Sequence, residues 1–298
     1  MKVLCFGSLN IDYTYKVDHF VKKGETLSSE SLKVFSGGKG LNQSIALAKA
    51  GADIWHAGAI GSDGIFLVKE LEKAGVNTEY ITVLENVRTG NAIIQNDKEG
   101  DNCIILYGGA NQAITKEQVN SVLEHFHSGD FLVLQNEINE LPYIMGQAHK
   151  KEMKIVLNPS PMNDRIFELP LAYVNYFVLN EIEAGQLLNM EIKEGFDGKE
   201  LSKKLLERFP EAAIVLTLGS DGSVYLDKQN RVCQSAFRVK TVDTTAAGDT
   251  FTGFFIGGIL KKFSVGDAME MASKAAAIAV SRAGAAPSIP LWKEAESF

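Results

Sequence analysis

The sequence predicts an α/β fold: a mostly parallel central sheet flanked by helices, with a small β-sheet lid. The main observation is that short apolar or β-branched runs alternate with helical patterns along most of the 298 residues. In addition, residues 130–135 and 213–218 are apolar almost throughout, which is typical of strands buried on both faces. The chain contains no repeat, low-complexity segment or obvious linker, so a single domain over residues 1–298 is expected.

The alternation is accounted for by six strands and six helices. The predicted strands cover residues 2–9, 53–60, 130–135, 154–158, 173–179 and 213–218. The predicted helices cover residues 41–50, 65–74, 116–126, 143–150, 182–188 and 199–208. Because ligands of such sheets bind at the carboxyl ends of the strands, the residues that follow each strand are the first candidates for a site.

Two stretches interrupt this alternation and predict the lid. Residues 12–35 and 88–107 contain runs in which apolar and polar residues alternate, and neither stretch is followed directly by a crossover helix. We expect them to form a small sheet that stands off the main one as an insertion. Further along, residues 223–226 and 232–239 are predicted to pair as antiparallel strands, with helices ending near residue 262 and covering 265–283.

Composition narrows the classes of partner. A formal net charge of −7 argues against a nucleic-acid-binding surface and gives no reason to expect an anionic membrane partner. No apolar run reaches membrane-spanning length, and Gly7 interrupts the N-terminal run too soon for a signal peptide. Three scattered cysteines without CxxC spacing fit a reducing compartment, so a cytoplasmic location is expected. The five histidines predict no zinc site.

The most informative stretch is VDTTAAGDTF at residues 242–251. Its small residues let the backbone N–H groups of residues 246–249 approach a ligand, and the helix that follows directs its positive dipole end at the same place. Asp249 adds a carboxylate beside these donors. Donors for a phosphate next to a base for a hydroxyl are what phosphoryl transfer to an alcohol requires.

A second glycine-rich turn, SGGKGLNQ at residues 36–43, precedes an amphipathic helix. Three glycines within four residues allow close backbone approach, while Lys39 and Asn42 offer polar groups to a ligand. The turn is not a Walker A loop, because GxxxxGK followed by Ser or Thr is absent. A purely structural turn is the alternative interpretation.

Polar side chains also follow several predicted strands, where a parallel sheet presents ligand contacts. They are Asn10 and Asp12 after the first strand, Glu137 after the third, Asn180, Glu181 and Glu183 after the fifth, and Thr217, Gly219, Ser220 and Gly222 after the sixth. The acids near residue 181 could hold Mg²⁺ through water, and the last group could form a tight turn under a nucleotide. Turn, helix-cap and solvated-loop roles are the structural alternatives.

Together these motifs resemble those of the ribokinase-like sugar kinases, the phosphofructokinase-B family. The N-terminal pattern is GGKGLNQS at residues 37–44, and the C-terminal pattern is DTTAAGD at residues 243–249. The groups at residues 180–181 and 217–219 lie between them in the order of that family, so the resemblance covers essentially the whole chain. It implies a ribokinase-like fold and an ATP-dependent sugar kinase whose expected substrate is D-ribose.

The resemblance also implies a role for each matching residue. Asp249 would be the general base, and the N–H groups of Ala246, Ala247 and Gly248 would form the anion hole for the transferring phosphoryl group. The sugar would be held by Asn10, Asp12, Gly38, Lys39, Gly40, Asn42, Glu137 and Asp249. The ATP site would be formed by Asn180, Thr217, Gly219, Ser220, Gly222, Gly248 and Ser273.

Two cations and one partner are implied in the same way. Glu183 would organise the water bound to Mg²⁺, and a K⁺ ion beside the anion hole would absorb carbonyl dipoles that otherwise oppose an incoming phosphate. The residues implied for K⁺ are Asp243, Thr245, Ala279, Arg282, Gly284 and Ser288. Members of the family pair their lids, which implies a homodimer.

Departures from the family pattern leave the identity of the sugar open. Phe254 stands where the family usually has a small residue, and Ser273 stands where some members have histidine. Tyr13 and Tyr15 follow Asp12 directly and are expected to reshape the sugar pocket.

Three alternatives follow from these departures and from the fold class. The first is a kinase of the same fold acting on another sugar, a sugar acid or a nucleoside, with Arg88 as the arginine near the lid that could meet an acid. The second is a catalytically silent ligand sensor, against which both intact motifs argue. A dinucleotide-dependent oxidoreductase is disfavoured because no GxGxxG follows the first strand.

Overall fold

The computed structural model describes residues 1–192 and 196–298. The strands are β1 (Val3–Phe6), β2 (Asn10–Lys16), β3 (Ser31–Gly37), β4 (Ile54–Gly61), β5 (Asn77–Leu84), β6 (Gly90–Asn96), β7 (Asn102–Tyr107), β8 (Phe131–Gln135), β9 (Lys154–Asn158), β10 (Tyr176–Asn180), β11 (Ala213–Thr217), β12 (Ser223–Leu226) and β13 (Arg231–Gln234). The helices are α1 (Lys39–Lys49), α2 (Ile65–Ala74), α3 (Lys116–Leu123), α4 (Leu141–Lys150), α5 (Glu181–Leu187), α6 (Gly198–Arg208), α7 (Ala247–Leu260), α8 (Val265–Val280) and α9 (Trp292–Glu296).

The main sheet has nine strands in the order β13-β12-β11-β10-β9-β8-β1-β4-β5. All neighbours pair in parallel except β12 with β11 and with β13. Side chains alternate along each strand, so β1 buries Cys5 against the core that contains Phe254 and Phe255, and Phe6 against the opposite core with Phe126. Burial of each such side chain stabilises the fold by roughly 1.5–3 kcal/mol. The predicted fold class is confirmed.

The predicted elements need three corrections: one strand was missed, and one strand and one helix end earlier than predicted. Strand β5 was not predicted, because its polar residues and half-exposed side chains at the sheet edge lack the apolar signature of a buried strand. The strand predicted over 232–239 ends at Gln234, since its partner β12 begins at Ser223 and pairs with that residue. The helix predicted to 283 ends at Val280, whose carbonyl accepts hydrogen bonds from the N–H groups of Val242 and Asp243.

The lid is a four-stranded sheet in the order β3-β2-β6-β7, and it is mixed because β2 and β6 run parallel. Its strands extend beyond the predicted ranges, since β2 begins at Asn10 and β3 continues to Gly37, immediately before α1. Alternation along β2 directs Asp12 and Thr14 into the cleft beneath the lid. Tyr13 packs against the buried core, and neither Tyr13 nor Tyr15 lines the cleft, so their expected effect on the sugar pocket stays a prediction.

Candidate active site

A cleft of about 1260 Å³ lies between the lid and the carboxyl edge of the main sheet. Most of the predicted site residues line it together: Asn10, Asp12, Gly38, Lys39, Asn42, Glu137, Asn180, Glu183, Thr217, Asp243, Thr245, Ala246, Ala247, Gly248, Asp249 and Gly284. The others do not line this cleft: Gly40, Gly219, Ser220, Gly222, Ser273, Ala279, Arg282 and Ser288. The structure thus brings residues as far apart in the sequence as Asn10 and Gly284 to one place.

Asp249 lies in the first turn of α7 with only 7% of its surface exposed. Two amides hold its two carboxylate oxygens: Asn42 Nδ2 donates to Oδ2 at 3.0 Å, and Gln43 Nε2 donates to Oδ1 at 2.9 Å. Both donors come from α1, which begins directly after the turn at residues 36–38. The two sequence motifs therefore meet at this carboxylate.

The N-terminus of α7 presents free backbone donors to the cleft. Ala246 takes the left-handed conformation with φ 59°, and its carbonyl accepts from the N–H of Thr250. The N–H of Ala247 donates to the Thr244 carbonyl at 3.3 Å, whereas those of Gly248 and Asp249 have no acceptor among the residues that the structure describes. Free N–H groups at the start of a 14-residue helix favour an anion.

The turn before α1 is tightly packed against its neighbours. A Cβ on Gly40 would lie 2.4 Å from the backbone nitrogen of Ser8, and a Cβ on Gly37 would lie 2.0 Å from the Asp12 carboxylate. Glu137 accepts hydrogen bonds from the Lys39 N–H at 2.9 Å and from the Ser8 hydroxyl. Ser8 was not predicted, because a serine after a first strand carries no motif of its own.

Charged groups are concentrated on the side of the cleft beneath the lid. Burial and the neighbouring Glu137 carboxylate raise the pKa of Asp12 to about 7. Burial likewise raises the pKa of Glu137, although the hydrogen bonds from Ser8 and Lys39 partly offset it. Burial alone would lower the pKa of Lys39, but the carboxylates of Asp249, Glu137 and Glu183 outweigh it and raise that pKa.

Asn10 is oriented by Asn111, a second residue that sequence reasoning missed. The Leu9 N–H donates to Asn111 Oδ1 at 3.0 Å. Because a backbone N–H can only donate, this bond fixes which atom of the Asn111 amide is the oxygen, and Nδ2 is therefore the donor. Asn111 Nδ2 then donates to Asn10 Oδ1 at 2.7 Å. The NH₂ group of Asn10 is therefore left as a donor at the cleft wall.

The opposite end of the cleft is formed by β10, β11 and the start of α5. Asn180 and Glu183 cap α5 reciprocally: Asn180 Oδ1 accepts from the Glu183 N–H at 2.8 Å, and Glu183 Oε2 accepts from the Asn180 N–H at 3.0 Å. Thr217 pairs with Asn180 across the two strands. Glu183 therefore caps α5 with one carboxylate oxygen and also lines the cleft. Its other carboxylate oxygen makes no hydrogen bond with the described residues.

The loop predicted to hold a monovalent cation lies beside the start of α7. Asp243 accepts from the backbone and hydroxyl of Thr245 and from the Gly284 N–H; burial would raise its pKa, but these bonds outweigh it and lower that pKa. The Arg282 guanidinium is paired with Glu294 at 2.7 Å, so only its backbone could face the loop. Within residues 1–192 and 196–298, no group of three or more His, Cys, Asp or Glu side chains is placed to hold a metal.

Comparison with known proteins places this geometry in a family. Residues 1–292 match the pfkB family of carbohydrate kinases. The ribokinase of Staphylococcus aureus (strain COL) is 35% identical over 300 residues, which cover 98% of each chain. Ribokinase from Cryptococcus neoformans var. grubii serotype A, in complex with ADP, has a TM-score of 0.88 at 31% identity over 99% of both chains. Arabidopsis thaliana ribokinase, complexed with ribose and ATP, has a TM-score of 0.87 at 26% identity, covering 99% of this chain and 97% of that one.

The chain therefore belongs to the pfkB family of carbohydrate kinases. It is an ATP-dependent sugar kinase, which confirms the resemblance based on the two glycine-rich motifs. None of the helices in the described ranges has the length and apolar character needed to cross a membrane.

Proposed function

We propose that this protein phosphorylates D-ribose to ribose 5-phosphate with ATP. The observation that carries the proposal is the meeting of Asp249, the free N–H groups at the start of α7 and the polar side chains beneath the lid in one cleft. The similarity to the S. aureus ribokinase and to the Arabidopsis ribokinase complexed with ribose and ATP supports ribose as the sugar.

In the proposed reaction, Asp249 accepts the proton of the sugar hydroxyl as its oxygen attacks the γ-phosphorus of ATP. The bond from that phosphorus to the β–γ bridging oxygen breaks, and the electron pair leaves with ADP. The N–H groups of Gly248 and Asp249, together with those of Ala246 and Ala247, would stabilise the charge on the transferring group. The lid would exclude water, which otherwise competes with the sugar for the phosphoryl group.

The polar residues on the lid side would hold the sugar hydroxyls. Asp12 accepts no hydrogen bond from the described residues, so its half-buried carboxylate is available to accept from hydroxyls. The Asn10 NH₂ group is available to donate, and Asn42, which also lines the cleft, donates to Asp249. The Gly38 to Gly40 backbone, Lys39 and Glu137 complete the proposed sugar site.

For the nucleotide, Asn180, Thr217 and Gly248 are proposed contacts at the cleft wall. Gly219, Ser220, Gly222 and Ser273 stay predictions, since they do not line this cleft. Glu183 has one carboxylate oxygen that accepts no hydrogen bond from the described residues, which fits Mg²⁺ held mainly by phosphates and water. When bound, Mg²⁺ would neutralise charge on the phosphates of ATP.

A monovalent cation is proposed at the loop formed by residues 243–245 and 279–288. The carbonyl oxygens of Thr245, Arg282 and Gly284 accept no backbone hydrogen bond from the described residues, which suits a K⁺ ion. Asp243 would supply a negative charge, and Ala279 and Ser288 would complete the set. The ion would orient this loop beside the anion hole.

We further propose a homodimer formed through the lid. The lid face that points away from the cleft exposes Leu32, Val34, Ile93, Ile105 and Tyr107, each at least 40% accessible. A contiguous apolar sheet face of this kind is typical of an interface with a second copy. Light scattering should give twice the 32.5 kDa chain mass, and a monomer at micromolar concentration would contradict the dimer.

The cysteines bear on the proposed location. Cys5 is buried, Cys103 and Cys233 are exposed, and none of the three is in a disulfide. Free exposed thiols are consistent with the reducing cytoplasm proposed from the sequence.

The proposal is tested by ADP release from MgATP with a panel of ribose, deoxyribose, fructose, keto-deoxygluconate and nucleosides, each with K⁺ or with Tris as the only cation. Turnover confined to ribose and raised by K⁺ is expected. Arg88 does not line the cleft and faces the Asp63 carboxylate at 3.6 Å, which argues against a role in binding a sugar acid. Turnover of another compound alone would overturn the sugar assignment, and no turnover at all would favour a silent sensor.

The role of Asp249 is tested separately with Asp249→Asn. Because general-base assistance is worth roughly 10²–10⁴-fold, this change should lower kcat by that factor while ATP still binds. Turnover near that of the wild type would contradict Asp249 as the base.

A further inference from the structure

Gln43 is a buried amide that donates a hydrogen bond to the proposed base without lining the cleft. It is fully buried in α1 and, unlike its neighbour Asn42, does not line the cleft. Its Nε2 donates to Asp249 Oδ1 at 2.9 Å and to Asn158 Oδ1 at 3.3 Å. Neither the sugar nor ATP is expected to reach Gln43, so any effect on the reaction must act through another residue.

The orientation of the Gln43 amide follows from fixed backbone groups. Asn158 Nδ2 donates to the Val178 carbonyl at 2.9 Å, which can only accept, so Asn158 presents its oxygen to Gln43. Gln43 must therefore present its NH₂ group to both Asn158 and Asp249. Reversal of this amide would place an oxygen against the carboxylate and lose both bonds.

The other end of the Gln43 side chain is held as well. Gln135, at the carboxyl end of β8, donates through Nε2 to Gln43 Oε1 at 2.6 Å. Gln135 is itself 1% exposed. The amide of Gln43 is thus held between the ends of β8 and β9, and these strands pair in the centre of the sheet.

We propose that Gln43 is a positioning residue that fixes the plane of the Asp249 carboxylate; this inference rests on the proposed role of Asp249 as the base. With Asn42 holding Oδ2 and Gln43 holding Oδ1, rotation about the last side-chain bond of Asp249 breaks at least one hydrogen bond. The carboxylate lone pair that faces the cleft then keeps one direction. A base held in this way needs no reorientation when the sugar hydroxyl arrives.

The test compares Gln43→Met with Gln118→Met, in MgATP and ribose assays together with thermal unfolding. Gln118 is a matched control, since its amide donates to the Gly58 carbonyl at 2.9 Å away from the cleft. Gln43→Met should lower kcat by roughly ten- to a hundredfold, because small misplacements of reacting groups have effects of this size, with both KM values within about twofold. Gln118→Met should keep kcat while losing thermal stability.

A second variant and a double mutant separate positioning from a structural role. Gln43→Asn keeps the amide but shortens its reach, so it should lose kcat in the same way and guards against poor folding of the methionine variant. In an Asp249→Asn background, Gln43→Met should change the residual rate by less than about twofold, because residues that act as a unit are not additive.

Each outcome has a distinct meaning. A full additional loss in the Asp249→Asn background, or raised KM values with kcat unchanged, would overturn the inference. Wild-type kcat in both Gln43 variants would overturn it too. If Asp249→Asn itself retains turnover, the proposed function of Asp249 fails, whatever the Gln43 variants do.

Discussion

The two site motifs, residues 36–43 and 242–251, each place a glycine in the first turn of a helix, but the two glycines have opposite surroundings. In the first turn of α1, a Cβ on Gly40 would meet the backbone of Ser8 at 2.4 Å and that of Gly7 at 2.6 Å. In the first turn of α7, a Cβ on Gly248 would meet nothing within 4 Å outside its own helix. Gly40 lets neighbouring backbone pack closely against α1, whereas Gly248 has open space beside it at the cleft.

This difference indicates that the start of α1 supports the site structurally, whereas the start of α7 is available to contact a ligand. The first turn of α1 is hydrogen-bonded to its surroundings: the Gly40 N–H donates to the Ser8 hydroxyl at 3.2 Å, and the Lys39 N–H donates to Glu137. The first turn of α7 instead leaves the N–H groups of Gly248 and Asp249 without acceptors in the described part of the chain. A glycine motif therefore does not by itself indicate where a ligand lies.

The largest expected effect on stability comes from Gly40→Ala. Its Cβ would collide with rigid backbone, so we expect a destabilisation of about 3 kcal/mol or more and a Tm lower by roughly 5 °C. Kinase turnover should fall at least about tenfold, because Ser8 and Glu137 shift with the turn. Thermal unfolding and ADP release measure the two effects.

Gly146→Ala is the matched control for this prediction. Gly146 lies inside α4, and a Cβ there meets nothing within 4 Å. Alanine should raise the stability by up to about 1 kcal/mol through helix propensity, with unchanged turnover. Equal Tm values for Gly40→Ala and the wild type would remove the proposed contrast between the two turns.

Gly248→Ala should affect activity and not stability. The added methyl has open space and lies in the first turn of α7, so Tm should stay the same or rise. The methyl would occupy the part of the cleft where the phosphoryl group is proposed to sit, and kcat/KM for ATP should fall roughly ten- to a hundredfold. A lower Tm with unchanged kcat/KM would reverse the assignment of this turn.

Local patterns were enough to predict most of the fold. Helix α2 begins and ends where predicted, at Ile65 and Ala74, because Gly75 caps it in the left-handed conformation. Strand β9 was also predicted over its observed range, since both of its faces are buried. The edge strand β5 was missed because half-exposed edge residues need no apolar pattern.

The candidate site was predictable only in its motifs. Asp249 and residues 36–43 stand out by local composition, but the bond between Gln43 and Asp249 joins residues 206 positions apart. The contacts made by Ser8, Asn111 and Gln135 depend in the same way on how the strands order themselves in the sheet. Single serines and amides carry no spacing signal, so a single sequence does not reveal them.

The smallest expected effect is the pH-dependent change in Tm caused by Asp12→Asn. It concerns a third glycine, Gly37, whose missing side chain leaves space for the Asp12 carboxylate. The pKa of Asp12 is raised from 3.8 to about 7 in the folded chain, so the folded state holds a proton that the unfolded state releases. The contribution of Asp12 to stability is therefore lost as the pH rises from about 4 to about 7. Asp12→Asn should have a higher Tm than the wild type at pH 8, by a few degrees, and an equal Tm near pH 4.

The same titration should appear in sugar binding. Below about pH 7 the protonated Asp12 loses acceptor capacity for hydroxyls, so KM for ribose should rise as the pH falls from 8 to 6, while KM for ATP changes little. In Asp12→Asn, KM for ribose should be higher throughout and flat over this range. If Tm and KM for ribose depend on pH in the same way in Asp12→Asn and in the wild type, Asp12 does not titrate in this range. Its carboxylate would then not be buried against Gly37 as the structure shows.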